Sequence, residues 1–277
     1  MEPNALPHAS ERLAHWRDAW WKAGKLVLLL DFDGTLAPIV SHPEDAALPE
    51  ATASALRHLR AIPSLEMAVV SGRAMADARG RVGIPDIAYA GNHGMEIEAP
   101  GLSRIHQEAA ASRPWLESAA AELEREIGGI PGVLVEDKEL TLSVHYRRVA
   151  PERVEEVRRA VFAVAGGHEG LRVTEGKMIL EVRPRVDWHK GKAVEFLLGE
   201  LRPPAGAPVI YLGDDQTDED AFRVLRAQRS VDGEGVIVAD PQPIHTAASA
   251  YLRGPDEVAD LLRKLVEVAP EGRLGRD

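Results

Sequence analysis

The sequence predicts an α/β protein, a parallel-sheet core domain interrupted by a smaller α+β domain. Strand-like and helix-like segments alternate from Lys25 to Gly94 and again from His189 to Ala269, the order that builds a parallel sheet with crossover helices. Between these parts the order changes to paired strands broken by single helices, which suits a separate small sheet. Four strands of the alternating parts end in polar clusters, and open parallel sheets bind ligands outside the carboxyl ends of their strands.

Along the chain, ASERLAHWRDAWWKAG reads as an amphipathic helix, with Ser10 as its cap and Gly24 as its stop. LVLLL, Leu26–Leu30, is apolar throughout and reads as a strand buried on both faces. Leu56, Leu59 and Ile62 recur at helical spacing after Pro49. LEMAVV is a second strand, AMADARGRVG a short helix and IAYAG a third strand. MEIEAP and SRIHQEA look like a two-stranded piece. RPWLESAAAELEREIGG is a helix, and GVLVEDKE and LTLSVHYRR are consecutive strands. PERVEEVRRAVFAVAGG is a helix with Val154, Val157, Val161 and Val164 inward, and LRVTEGKMILEVRP is a strand pair turning at Glu175-Gly176. Helix, strand and helix then return in HKGKAVEFLLGEL, APVIYLGDD and TDEDAFRVLRAQ, before strand GVIVAD and helix DEVADLLRKLVEVA. The grammar places the insert at 102–186 within a core of 1–101 and 187–277. The tail PEGRLGRD is expected to be loose.

With 277 residues, 45% hydrophobic and 28% charged, the chain has material for one large or two smaller soluble domains. Its formal net charge of −11 lacks the basic footprint of a nucleic-acid binder and does not suit an anionic membrane surface. It has no cysteine, which excludes disulfides, thiolate catalysis and Cys-ligated zinc. The N-terminal stretch has no apolar core of a signal peptide, and no run approaches the ~20 apolar residues of a membrane helix. A cytoplasmic location is the expectation.

The chemistry concentrates at the four strand ends. They are Asp31 and Asp33, Ser71-Gly72-Arg73, Asn92-His93-Gly94, and Asp214-Asp215 with Asp218. Singly, each has an ordinary reading, since a D-x-D is commonly a solvated loop and acidic residues favour helix N-termini. Together they would crowd three or more carboxylates into one place, where like charges repel. A divalent cation relieves that repulsion, and hard oxygen ligands favour magnesium over zinc. Magnesium binds through a few carboxylates and phosphate oxygens, so phosphate chemistry fits. Ser71 and Lys190, which opens a helix, would supply donors to a phosphoryl group. No G-x-S-x-G, P-loop lysine motif or G-x-G-x-x-G after a strand is present.

On these residues the sequence resembles the haloacid dehalogenase superfamily. DFDGT matches its first motif, VVSGR the strand ending in Ser or Thr, Lys190 its lysine and GDDQTDED its acidic fourth motif. AGNHG, VEDKELTLSVHYR, EGKMILEVRP and HKGKAVEFL narrow the likeness to the trehalose-6-phosphate phosphatase family over about residues 26 to 265. Phe32 stands where that family often has Tyr.

The resemblance implies a HAD-like Rossmannoid core with an α+β cap and hydrolysis of trehalose 6-phosphate through an aspartyl-phosphate. Asp31 would be the nucleophile and Asp33 the acid and base, two residues on and facing the same way in extended chain. Mg2+ would be held by Asp31, Asp214 and the backbone carbonyl of Asp33, with Asp215 and Asp218 in support. Ser71 and Lys190 would hold the phosphoryl oxygens. Glu136, Lys138, His145, Arg147, Lys177 and Glu181 of the cap would meet the sugar, joined from the core by Arg73, Asn92 and His93. Strand alternation puts Glu175, Lys177, Ile179 and Glu181 on one face.

Glucosylglycerol-, mannosylglycerate- and sucrose-phosphate phosphatases compete within the class, and a non-catalytic sugar-phosphate sensor stands outside it. A small-molecule sugar phosphate is the expected partner, with no nucleic acid and no membrane. A monomer is expected, and a trehalose-phosphate synthase is the one protein contact the resemblance raises. Trp20 and Trp21 are a contact-surface candidate, with core packing the plainer use.

Overall fold

The computed structural model describes residues 6–270. The first five residues and the expected loose tail beyond Pro270 lie outside them. Helix α1 (Ala9–Ala23) starts one residue after its cap, which is His8 rather than Ser10. The His8 ring accepts the Ser10 N–H while Glu11 reaches back to the His8 N–H, so an imidazole does the work expected of a hydroxyl. Gly24 ends the helix at φ 71°, the left-handed region that glycine enters freely. The tryptophan pair divides: Trp20 is fully buried, whereas Trp21 is exposed and donates to the Val268 carbonyl.

Strand β1 (Leu26–Leu30) is buried along its whole length. Helix α2 (Glu50–Arg60), strand β2 (Leu65–Val70), helix α3 (Met75–Val82) and strand β3 (Ala88–Gly91) follow as expected. Strands β4 (Glu96–Ala99) and β5 (Leu102–Ile105) then form a hairpin that adds antiparallel to β3. Leu102–Ile105, read in the sequence as part of the insert, is therefore the edge of the core sheet. HQEA is not strand either: His106 caps the short helix α4 (Gln107–Ala111).

Helix α5 (Arg113–Ile127), strands β6 (Leu134–Asp137) and β7 (Leu142–His145), helix α6 (Pro151–Gly166) and strands β8 (Leu171–Gly176) and β9 (Ile179–Pro184) form the insert. Its sheet runs β6-β7-β9-β8, antiparallel, with α5 and α6 on one face. Leu116, Leu123 and Ile127 of α5 pack with Val157, Val161 and Val164 of α6 against Leu142, Val144, Leu180 and Val182. The opposite face, which carries Glu136, Ser143, Thr174 and Glu181 opposite one another in register, looks onto the core.

Helix α7 (Lys190–Leu201), strand β10 (Pro208–Gly213), helix α8 (Glu219–Ala227), strands β11 (Asp232–Val238) and β12 (Ala250–Leu252) and helix α9 (Pro255–Val268) complete the core. Its sheet runs β12-β11-β10-β1-β2-β3-β4-β5, parallel up to β3. Two apolar layers cover it. One lies between the sheet and α1, α2 and α9, and the other between the sheet and α7 and α8. The chain runs outward from β1 through β2 to β3 and later returns to place β10 on the other side of β1. That reversal opens a crevice over the carboxyl ends of β1 and β10. Among the described residues no helix is long and apolar enough to cross a membrane.

Candidate active site

Asp31 follows β1, Asp214 follows β10, and Asp218 sits one turn later in a 3₁₀ turn, Gln216–Asp218. One carboxylate oxygen from each lies within 4.8 Å of the others. Lys190, the first residue of α7, reaches under the group, its Nζ 2.8 Å from Asp31 Oδ1 and 2.7 Å from Asp218 Oδ1. All four residues are buried.

Asp218 is fully engaged by the protein. Its Oδ1 accepts Lys190 and the Tyr211 hydroxyl, the latter at 2.6 Å, and its Oδ2 accepts the N–H groups of Asp214 and Asp215. A carboxylate with four donors has its lone pairs taken. Asp218 therefore holds Lys190 and the Asp214-Asp215 backbone in place. Asp215 turns to its own helix start, accepting the Gln216 N–H, and its carboxylate is outside the close group.

Burial pushes Asp31 well up; Lys190 opposes this, while Asp218 and Asp214 add to it. Burial likewise pushes Asp214 up to about 6 against the pull of Lys177. Lys177 extends from the β8–β9 turn of the insert and donates to both the carboxylate and the carbonyl of Asp214. Three carboxylates thus face two ammonium groups, one positive charge short.

Asp33 points away from the group. Arg73 binds it with two parallel hydrogen bonds of 2.7 Å, a bidentate fork. Arg73 is itself fixed by Asp77 at 2.6 Å, by the Pro43 carbonyl at 3.0 Å and by the Phe32 ring beneath it. Ser71 is buried next to this pair, and its Oγ accepts the Arg73 N–H.

Above the carboxylates lies a cleft of about 200 Å³ between the core and the polar face of the insert. Asp31, Asp33, Arg73, His93, Glu136, Lys138, His145, Arg147, Lys177, Glu181 and Lys190 line it, as the sequence reading groups them. Ser71 and Asn92 do not. The Asn92 side chain donates to Glu96 of β4 and to the Lys138 carbonyl and accepts the Thr141 hydroxyl, so its polar capacity is spent within the protein, two of the three bonds going to the insert. Glu136 pairs with His145 at 2.8 Å, and Arg147 donates to the Lys177 carbonyl. A larger open groove of about 1230 Å³ adjoins the cleft behind Lys177 and Asp214, but Asp31, Asp33 and Lys190 lie outside its lining.

Glu175 departs from the expected face. The turn falls at Lys177-Met178, not Glu175-Gly176, and Met178 adopts φ 65°. That turn breaks the alternation, so Glu175 pairs with Leu180 on the helix side of the sheet and binds Arg158 of α6. Sequence reasoning missed Arg183, Tyr211 and Asp77. Arg183 is buried 3.8 Å from Glu181, and its i+2 spacing from Glu181 on β9 was the available signal.

The family model for trehalose-phosphatase matches residues 29–256. The chain belongs to the trehalose-phosphatase family. A trehalose-phosphate phosphatase of Mycobacterium avium is 43% identical over 273 residues, 96% of this chain and 68% of that protein. Another, of Mycobacterium marinum, is 43% identical, and 244 residues cover 60% of it, so the chain spans about two thirds of such relatives. The C-terminal domain of the Candida albicans trehalose-6-phosphate phosphatase superposes with a TM-score of 0.79 at 25% identity, covering 95% of this chain and 99% of that one. The fold is that of the haloacid dehalogenase-like hydrolases. Asp31, His93, Lys138, Lys177, Lys190 and Asp214, from the stretches named in the sequence, line one cleft between the core and the insert.

Proposed function

We propose that the protein hydrolyses trehalose 6-phosphate to trehalose and phosphate with magnesium, through an aspartyl-phosphate on Asp31. The observation that carries this is the Lys190-bridged pair Asp31 and Asp218 beside Asp214, directly beneath a cleft walled by polar side chains of the insert. Residues from about 106 to 186 would act as the cap.

The oxygens left for a ligand are hard donors that fit a divalent cation, and the three buried carboxylates are one positive charge short. Asp31 and Asp214 would hold the ion with the Asp33 carbonyl. Bound there, it would offset charge on the phosphoryl oxygens and keep Asp31 ionised. The fit extends to Gly34, where a Cβ would stand 2.1 Å from Asp214 Oδ2, at a φ of 78° that side chains rarely adopt. Gly34→Ala is therefore expected to displace Asp214 and to raise the magnesium concentration for half-maximal activity by about tenfold or more. A titration of phosphate release against magnesium checks this, and an unchanged midpoint would count against the assignment.

In the reaction, the Asp31 carboxylate would attack phosphorus and the sugar oxygen would leave, taking a proton from Asp33 once that carboxyl is released from the Arg73 fork and protonated. Asp33 would then accept a proton from the water that attacks the aspartyl-phosphate, and phosphate would leave with Asp31 restored. Arg73 sets where Asp33 stands. Lys190 neutralises Asp31 and the incoming phosphoryl oxygens, while Ser71 supports the Arg73 loop from below. Glu136, Lys138, Lys177 and Glu181 would read the sugar hydroxyls.

The test is phosphate release from trehalose 6-phosphate, sucrose 6-phosphate, glucose 6-phosphate and glucosylglycerol phosphate, with magnesium and then with chelator. Release from trehalose 6-phosphate above the others, lost with chelator, is the expected result. Preference for another sugar phosphate would keep the chemistry and overturn the reading of the cap. Tight binding without turnover would make the protein a sensor.

A further inference from the structure

Three successive residues after β3 lie in the left-handed region: Asn92 at φ 49°, His93 at φ 57° and Gly94 at φ 89°. Asn and His tolerate that region better than most side chains, yet two in succession is a strained turn that its surroundings must impose. Those surroundings are on both sides. Gly94 lies against α7, where a Cβ would stand 2.2 Å from the Ala193 Cβ, so the turn is locked onto the helix that carries Lys190. Gly72 packs closely on the His93 ring, where a Cβ would come within 2.7 Å of Cε1.

From this fixed turn both side chains cross to the insert. Asn92 donates to the Lys138 carbonyl at 3.0 Å and accepts the Thr141 hydroxyl at 2.8 Å, bracketing the β6–β7 loop. His93 Nε2 lies 2.7 Å from Glu181 Oε2. Lys138 returns the contact by donating its Nζ to the Gly72 carbonyl at 3.2 Å. Glu181 is buried, with Lys138 3.6 Å and Arg183 3.8 Å away. Burial alone would raise its pKa, but the hydrogen bond from His93 and the charges of Lys138 and Arg183 overcome this and hold it below the usual carboxylate range. Burial pushes His93 down to about 4, so the ring is neutral. An ionised carboxylate can only accept, so Nε2 carries the ring proton; Nδ1 is buried without a partner.

We propose that the Asn92-His93 turn is the reference by which the core orients the sugar-reading carboxylate of the cap, with His93 the positioning residue for Glu181 and Asn92 the pin that holds Lys138 beside it. This rests on the reading of Glu181 as a sugar contact. It makes substrate recognition a joint product of both layers. The cap supplies the carboxylate, and the strained turn on the core sets its direction.

The experiment is a double-mutant cycle of His93→Ala and Glu181→Ala, with kcat and KM measured on trehalose 6-phosphate. His93→Ala is expected to raise KM about tenfold to a hundredfold, as for loss of a hydrogen bond to a charged group, with a smaller change in kcat. In the Glu181→Ala background the same substitution should change KM less than twofold, because nothing remains to be positioned. His93→Gln, whose amide N–H can reach the same carboxylate, should recover most of the loss, and its unfolding midpoint reports that the fold is kept. Equal factors in both backgrounds, or a fall in kcat at unchanged KM, would overturn the proposal. If the parent protein preferred another sugar phosphate, the proposed substrate would fall, while the cycle run on that substrate would still decide the role of His93.

Discussion

Asp31→Asn is expected to lower phosphate release from trehalose 6-phosphate by about four orders of magnitude or more, since in the proposed mechanism Asp31 forms the covalent intermediate. The same change should leave the fold at least as stable. Asp31 is buried, and burial with the nearby Asp218 and Asp214 pushes its carboxyl up, so the charge works against folding except through Lys190. The amide removes that charge at constant shape, and Lys190 keeps Asp218 as its partner at 2.7 Å. Phosphate release and a thermal unfolding midpoint, measured without metal, check the two halves. Residual activity within a hundredfold of the parent would remove Asp31 from the nucleophile's place. A large fall in midpoint would mean that the carboxylate supports the fold.

Lys190→Met should have the opposite signature on stability. It leaves Asp31 and Asp218 buried without their shared cation, and removing one partner from a buried pair costs about 3–5 kcal/mol. In a chain of this size that lowers the unfolding midpoint by about ten degrees. The deficit should depend on pH. Without Lys190 the Asp31 carboxyl lies higher still, above its value in the unfolded chain. Its contribution is then fully present below the unfolded pKa and is lost as pH rises through the folded one. The variant is therefore expected to be closest to the parent near pH 5 and furthest from it near pH 8. Midpoints across that range decide it, and a deficit that grew on acidification would contradict the assignment of a buried, cation-dependent Asp31.

The strand ends were legible because two independent signals coincide there. Leu26–Leu30 is apolar on every residue and is followed at once by Asp31, and Pro208–Gly213 is followed by Asp214 in the same way. A fully buried strand that stops in charge marks both the end of the strand and the site. Where only one signal existed, the reading drifted. Glu175 and Glu181 share a period of two, but a turn at Lys177-Met178 resets the period, and Met at φ 65° is not a residue that announces one. The same holds for His8, which caps α1 with a ring nitrogen. The strand Ala250–Leu252 has only three residues, too few for periodicity to show. Asn92 was read with its neighbour as a sugar contact. Its contacts with the insert, to Lys138 and Thr141, are long-range, and nothing local distinguishes a side chain that faces ligand from one that faces another domain. The resemblance implies a supporting part for Asp218, and its occupancy by four donors, which depends on Tyr211 and on the 3₁₀ turn, is not visible in the sequence.

The position of β10 beside β1 has a consequence for how the molecule is made. β1 is the central strand, and one of its two neighbours arrives only after some 180 further residues, counted from the separation of Val27 and its partner Val209. Until then a wholly apolar strand presents an open edge to solvent and to other chains. Pairings of such long sequence separation slow folding, and exposed apolar edges invite aggregation during synthesis. A chain released from the ribosome after β5 would have three parallel strands, Asp31 at the mouth of an unclosed edge, and neither Lys190 nor Asp214 to meet it. Asp31, the proposed nucleophile, is thus made first and its surroundings completed last, and a truncated chain should remain insoluble or chaperone-bound until β10 is added.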